Sequence, residues 1–158
     1  MSSSQNKTYN GRILKEIEKL SEAYPDITNE ITCDKITGNQ VVYIYKKHDV
    51  FKLAIPQFYP FIAPTIFFNH RPYSEYIKLS SIRIIENARL LSGMSCFCCN
   101  SFLCSDRWTP GVSFHNIILE IQLFQKIKQM CYLKVLIDNI KTKYLVDDID
   151  ILSFLFEL

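Results

Sequence analysis

Hydropathy along this 158-residue chain changes period twice, and the two changes confine it to one fold class. From Asn10 to Ala23 apolar residues recur at helical spacing, with Ile13, Leu14, Ile17 and Leu20 on one stripe and Arg12, Lys15, Glu16, Glu18 and Lys19 facing away. That pattern predicts an amphipathic helix, capped by Thr8 or Asn10 and stopped by Pro25. Between Ile31 and Phe68 the pattern breaks into short runs rich in β-branched and aromatic residues: Ile31–Thr37, Val41–Tyr45, Val50–Ile55 and Thr65–Phe68. Gly38-Asn39 and Lys46–Asp49 separate the first three, so they read as an antiparallel meander, while Pro60 and Pro64 bar a regular ladder before the fourth. Helical spacing returns with Val112, Ile117, Ile118, Ile121, Phe124 and Ile127, for a helix capped by Thr109 or Ser113 and ending near Lys134. A last helix over 144–158 has Leu145, Ile149, Leu152 and Phe156 on one face. The order is a helix, a four-stranded antiparallel meander, a long loop and helices. It specifies an α+β fold with the helices segregated from the sheet, in one domain over 9–158 behind a flexible 1–8. Residues 69–107 are read as irregular, with Ser74–Leu91 unassigned, and loops of that length usually carry function.

Charge narrows the classes of function. Lys and Arg total 18 and Asp and Glu 16, a net charge of +2. A dedicated nucleic-acid binder needs a strong basic excess to neutralise phosphates, so nucleic acid is not an expected partner. The balance is uneven: Asp147, Asp148, Asp150 and Glu157 give the last fifteen residues −4 and leave +6 upstream. No apolar run reaches the length of a membrane span, so no membrane association is expected. The polar start, Met1–Lys7, carries no apolar leader and points to a reducing compartment, the cytoplasm or nucleus.

In a reducing compartment the six cysteines are read as thiols. Cys96, Cys98, Cys99 and Cys104 crowd into nine residues, whereas Cys33 and Cys131 stand alone and read as small buried hydrophobes. The crowd admits two chemistries. Cys96-x-x-Cys99 followed by Cys104 has spacings a tetrahedral zinc accepts, with Cys98, His70 or His115 to complete the set. Alternatively Cys96, Cys98 and Cys104 hold the zinc and leave Cys99 as a nucleophile, because a thiolate committed to a metal has no lone pair for attack.

Arg12-Ile-Leu-Lys-Glu-Ile in the first helix, Tyr59-Pro-Phe-Ile-Ala-Pro-Thr-Ile-Phe-Phe after the third strand, and a cysteine shortly before Trp108-Thr-Pro together resemble the ubiquitin-conjugating enzyme family over about Arg12 to Ile127. The cysteine-rich insertion before Trp108 looks most like the divergent members of large DNA viruses. The resemblance implies the fold of that family and a thiol that accepts ubiquitin, or a ubiquitin-like protein, as a thioester from an activating enzyme. The thiol then yields it to a lysine, with a RING-type ligase as the further partner. No cofactor is required for that chemistry.

The same resemblance assigns residues. Cys99-Asn100-Ser101-Phe102-Leu103 matches the family's Cys-x-Ser/Asp-x-Leu stretch, which makes Cys99 the nucleophile and Cys98 the second choice. Ser101 and Asp106 lie beside it as polar groups able to orient an incoming lysine. The family's His-Pro-Asn motif is missing, and Ser74-Glu75-Tyr76 stands in its register. Asn100, Asn69 or Asn87 must then supply the oxyanion donor, or isopeptide formation is slow. Arg12, Lys15 and Lys19 match the helix face that meets the activating enzyme; Phe61 and the Pro110-Gly111 loop match the two loops that ligases grip, although Phe61 can equally be core. The competing readings are a catalytically inactive binding module of the same fold and an adaptor stapled by zinc.

Overall fold

The first helix, α1 (Gly11–Ala23), turns a carboxylate inward, where the sequence pattern has an apolar stripe. Ile13 and Leu20 are fully buried, but Glu16 is only 5% exposed while Leu14 is 46% exposed. The reason lies 98 residues away: Glu16 Oε2 accepts the Phe114 N–H at 2.8 Å, at the start of the longest helix. Its other oxygen, Oε1, pairs with Arg12 Nη2 at 2.5 Å. A helix N-terminus leaves N–H groups without intrahelical partners and carries partial positive charge, so a buried carboxylate is favoured there. Glu16→Gln is therefore expected to lower the unfolding free energy by about 1–2 kcal/mol in urea titration, with the unfolding slope unchanged.

The computed structural model describes residues 11–94 and 96–144, and the expected flexible start over 1–8 and last helix over 144–158 fall largely outside them. The sheet has five strands, not four: β1 (Ile27–Cys33), β2 (Gln40–Lys46), β3 (Asp49–Ala54), β4 (Thr65–Phe68) and the two-residue β5 (Arg71–Pro72). They lie in chain order and every neighbouring pair is antiparallel. Val42, Ile44, Phe51, Leu53, Ile66 and Phe68 are buried, while the alternate residues Tyr43, Lys52 and Phe67 are only half-buried. That alternation is the mark of a sheet with one packed face.

β1 begins at Ile27 and stops at Cys33 rather than running from Ile31 to Thr37. Asp34 Oδ1 accepts the N–H groups of Ile36 (2.9 Å) and Thr37 (2.8 Å), bending the chain into a turn that Gly38 closes at φ 71°. Those backbone donors hold the Asp34 carboxyl below its ordinary range. Between β4 and β5, Asn69 and His70 both adopt positive φ (47° and 66°), the requirement of a tight hairpin turn. Asn69 also ties this turn to β3, accepting from Val50 N and donating to Asp49 Oδ1.

The Phe58–Pro64 segment packs through Tyr59, whose ring lies 6.3 Å from that of Trp108 and 5.9 Å from that of Phe114. The Tyr59–Pro60 peptide is cis. Trp108 Nε1 donates to Pro60 O at 2.9 Å, fastening the loop before the helix that starts at Phe114 to the loop before β4. Burial pushes the Tyr59 phenol up to about 12.

The stretch left unassigned by periodicity contains two helices, α2 (Tyr73–Tyr76) and α3 (Ile82–Ser92). Ser81 caps α3 by accepting from Ile84 N, and Gly93 ends it in the left-handed conformation. A single turn, α4 (Phe97–Asn100), follows, and then α5 (Phe114–Tyr144). Ser113 rather than Thr109 caps α5, its hydroxyl accepting from Asn116 N and donating to Asn116 Oδ1. α5 runs to Tyr144 rather than stopping near Lys134; neither glycine nor proline interrupts the chain after Gly111. Among the described residues two compact units result, one of residues 11–77 with Cys98–Ile121, the other of Lys78–Phe97 with residues 122–144. The second holds α3 to the latter part of α5 through Arg83 Nη1 to Asn139 Oδ1 and Lys128 Nζ to Lys78 O. Among the described residues no helix is long and apolar enough to cross a membrane.

Candidate functional site

The crowded cysteines lie just before α4, on it and in the loop after it, and one buried carboxylate organises that loop. Glu120, on the first part of α5, is only 6% exposed. Its Oε1 accepts from the Ser101 hydroxyl at 2.5 Å and from the Tyr73 phenol at 3.1 Å, and its Oε2 accepts from Phe102 N at 2.6 Å. Ser101 Oγ in turn accepts from Leu103 N at 3.0 Å. Backbone bonds from Cys104 N to Ser101 O and from Arg107 N and Trp108 N to Cys104 O complete the turn, and Arg107 Nη1 donates to Asn100 O. Burial, then the charge of Glu120, keeps the Tyr73 phenol protonated far above the usual tyrosine range, so it remains a donor. Sequence reasoning missed Glu120. Its signal was a lone carboxylate among Ile117, Ile118, Ile121 and Phe124, all of which are buried.

Beside this loop runs a mostly apolar groove of about 310 Å³, lined by Pro64, Ile66, Tyr73, Ile77, Cys98 and Cys104, with Ser74 and Ser101 also on its wall. Cys98 and Cys99 are both exposed and their sulfurs lie 3.8 Å apart. Cys98 lines the groove and Cys99 does not. None of the six cysteines is disulfide-bonded; Cys131 is buried, as expected for a lone small hydrophobe, whereas Cys33 is only half-buried.

The three sulfurs that come together are those of Cys96, Cys98 and Cys99, all within 4.8 Å of one another, a group able to hold a metal ion. Of the two sets expected from the sequence, Cys96, Cys99 and Cys104 completed by Cys98, His70 or His115, and Cys96, Cys98 and Cys104 with Cys99 apart, neither is assembled whole: Cys96, Cys98 and Cys99 come together and Cys104 is not in the group. α4 begins at Phe97 and carries Cys98 and Cys99 on one turn, while Cys104 comes after the Glu120-held turn and faces the groove. Neither histidine joins the group: His115 stacks on Tyr24 at 5.4 Å, and His70 sits in the β4–β5 turn.

The other assigned residues are placed as follows. Ser101 is buried and committed to Glu120 and Leu103 N, so it shapes the loop rather than meeting a lysine from solvent. Asn69 is committed to β3 and Asn87 is buried on α3, which leaves Asn100 as the exposed asparagine on the cysteine segment. Ser74-Glu75-Tyr76 forms α2, with the Tyr76 ring packed edge-on against Phe68 at 4.9 Å. Lys15 and Lys19 are exposed, but Arg12 bonds both Glu16 and Pro110 O (3.2 Å), joining the first helix to the Pro110-Gly111 loop. Phe61 is 77% exposed and so is not core; Phe58 and Ile62 are exposed with it. No family model, curated protein or solved structure matches the chain.

Proposed function

We propose that the protein is a ubiquitin-conjugating-type acyl carrier, in which a thiol of the Cys98–Cys99 pair accepts the C-terminal acyl group of ubiquitin or a ubiquitin-like protein. The observation that carries this reading is an exposed thiol pair on a hydrogen-bonded loop at the edge of an apolar groove. A thiolate attacks the thioester carbonyl held by the activating enzyme and expels that enzyme's thiolate; a lysine amine later attacks the new thioester, the thiolate leaves and the amine proton passes to solvent. The register of the family motif favours Cys99. The groove favours Cys98, because Cys98 and not Cys99 lines it. We take Cys98 as the acceptor, with Cys99 beside it. Lys15 and Lys19 are the basic residues offered to an activating enzyme, and Phe61 with Ile62 is the apolar patch offered to a RING-type ligase. Such a carrier works in the cytoplasm or nucleus, where thiols stay reduced.

Incubation with ubiquitin, ATP and an activating enzyme is expected to give an adduct on a non-reducing gel that thiol reductant removes. Cys98→Ala should abolish it and Cys99→Ala should retain it. The reverse pattern moves the acceptor to Cys99, and absence of any adduct across several activating enzymes sinks the reading. A second reading, a binding module without transfer, is favoured by one observation: the residues in the His-Pro-Asn register form α2, and Tyr76 is packed rather than presented. Loss of an oxyanion donor costs about 10²–10³ in rate. That reading predicts binding of ubiquitin with no adduct.

A further inference from the structure

The Cys96–Cys99 segment differs from a zinc staple in two ways. A structural zinc is closed by four protein ligands, and among the described residues no fourth histidine, cysteine or carboxylate joins the three sulfurs. The loop that follows already has its shape from Glu120, through the Ser101 hydroxyl and Phe102 N, so no ion is needed to hold it. What remains is a compact set of soft donors, two of them exposed and one half-buried. Soft thiolates select soft ions, and a metal–thiolate bond of about 2.3 Å in a trigonal plane sets sulfurs about 4 Å apart. Cys98 and Cys99 stand at 3.8 Å, and every pair of the three is within 4.8 Å.

We propose that Cys96, Cys98 and Cys99 form a three-coordinate thiolate site for Cu(I), and that the ion, by engaging Cys98 and Cys99, shuts off acyl transfer at them. The second half rests on the acyl-carrier reading; the first does not. Binding is not a redox step. Copper enters and stays as Cu(I), three S–H bonds are exchanged for three Cu–S bonds, and three protons pass to solvent. A sulfur lone pair held by the ion is withdrawn from attack on a carbonyl, so the captured protein takes up no acyl group until a competing thiol or chelator removes the metal.

The test is an anaerobic titration of the full chain with Cu(I), supplied as its acetonitrile complex, against a coloured Cu(I) chelator. One equivalent is expected to bind, with a sulfur-to-copper absorption in the ultraviolet. Cys96→Ala, Cys98→Ala and Cys99→Ala should each weaken binding by about 100-fold or more, and Cys104→Ala by less than about threefold. Zn(II) titrated in the same way should bind more weakly. Equal weakening by Cys104→Ala, indifference to all four substitutions, or preference for Zn(II) overturns the site. In the adduct assay, one equivalent of Cu(I) should stop adduct formation by the unaltered protein, whereas Cys96→Ala, measured against its own metal-free rate, should resist. Cysteine-dependent Cu(I) binding without any adduct, metal present or absent, upholds the site and overturns the acyl-carrier reading. An adduct from a chain that does not bind Cu(I) overturns the site and leaves that reading intact.

Discussion

Replacing Glu120 by alanine is expected to lower the unfolding free energy by about 3–4 kcal/mol, well beyond the effect of removing a surface carboxylate. Three donors converge on this side chain: the Ser101 hydroxyl, the Tyr73 phenol and Phe102 N. Ser101 and Tyr73 are buried with it, so their hydroxyls lose a partner without gaining water. Leaving a buried donor unsatisfied costs about 1–3 kcal/mol, and bonds to a charged acceptor lie at the upper end. Glu120→Gln separates shape from charge. The amide fills the same space but turns a donor toward donors, so about half of the loss should remain. Urea unfolding gives the total, and hydrogen exchange at the Phe102 amide reports the loop: that amide should exchange faster in both variants. An alanine variant within about 1 kcal/mol of the unaltered protein, with Phe102 still protected, would mean that other contacts hold the cysteine loop.

How far the sequence revealed this arrangement can be judged from particular residues. β2, β3 and β4 were legible because their alternation answers directly to a one-sided sheet, and α1 because its apolar spacing is local. Glu16 and Glu120 were not. Periodicity places a charge outward by default, and it takes Phe114 N, or Ser101 and Tyr73, to make an inward carboxylate stable; those partners are distant in the chain and no window contains them. α3 had its punctuation in Ser81 and Gly93, but Ile82 and Leu90 are exposed, so its apolar residues do not fall on one stripe. The cysteine set was legible only in part, for a local reason. Whether Cys99 or Cys104 joins Cys96 and Cys98 depends on where a single helical turn begins, and a one-turn helix leaves no periodic trace. An indole seeks a partner for its N–H, but that Trp108 finds it at Pro60 O, 48 residues away, no local window shows.

The other anchor of the cysteine segment is apolar. Phe97, between Cys96 and Cys98, is 1% exposed, and its ring stacks on Phe124 with centroids 4.5 Å apart and planes 10° apart. A four-residue helix has too few hydrogen bonds to persist alone, so this buried ring must fix where the flanking cysteines emerge. Phe97→Ala is expected to cost about 3–5 kcal/mol in urea unfolding, the range for a fully buried phenylalanine. Phe97→Leu keeps most of the volume and should cost less than about 1.5 kcal/mol, which retains a folded protein for the second measurement. There, loss of the ring stack should loosen the segment, so alkylation of Cys98 and Cys99 should change rate relative to the unaltered chain while alkylation of Cys33 does not. Phe102→Ala is the control on the same loop: that side chain is 36% exposed and should cost under about 1 kcal/mol. Equal costs for Phe97→Ala and Phe102→Ala would show that the segment is placed by its hydrogen bonds to Glu120 alone. An unequal outcome makes the thiols the product of two anchors of different chemistry, a set of hydrogen bonds to a buried carboxylate and a ring stack indifferent to charge.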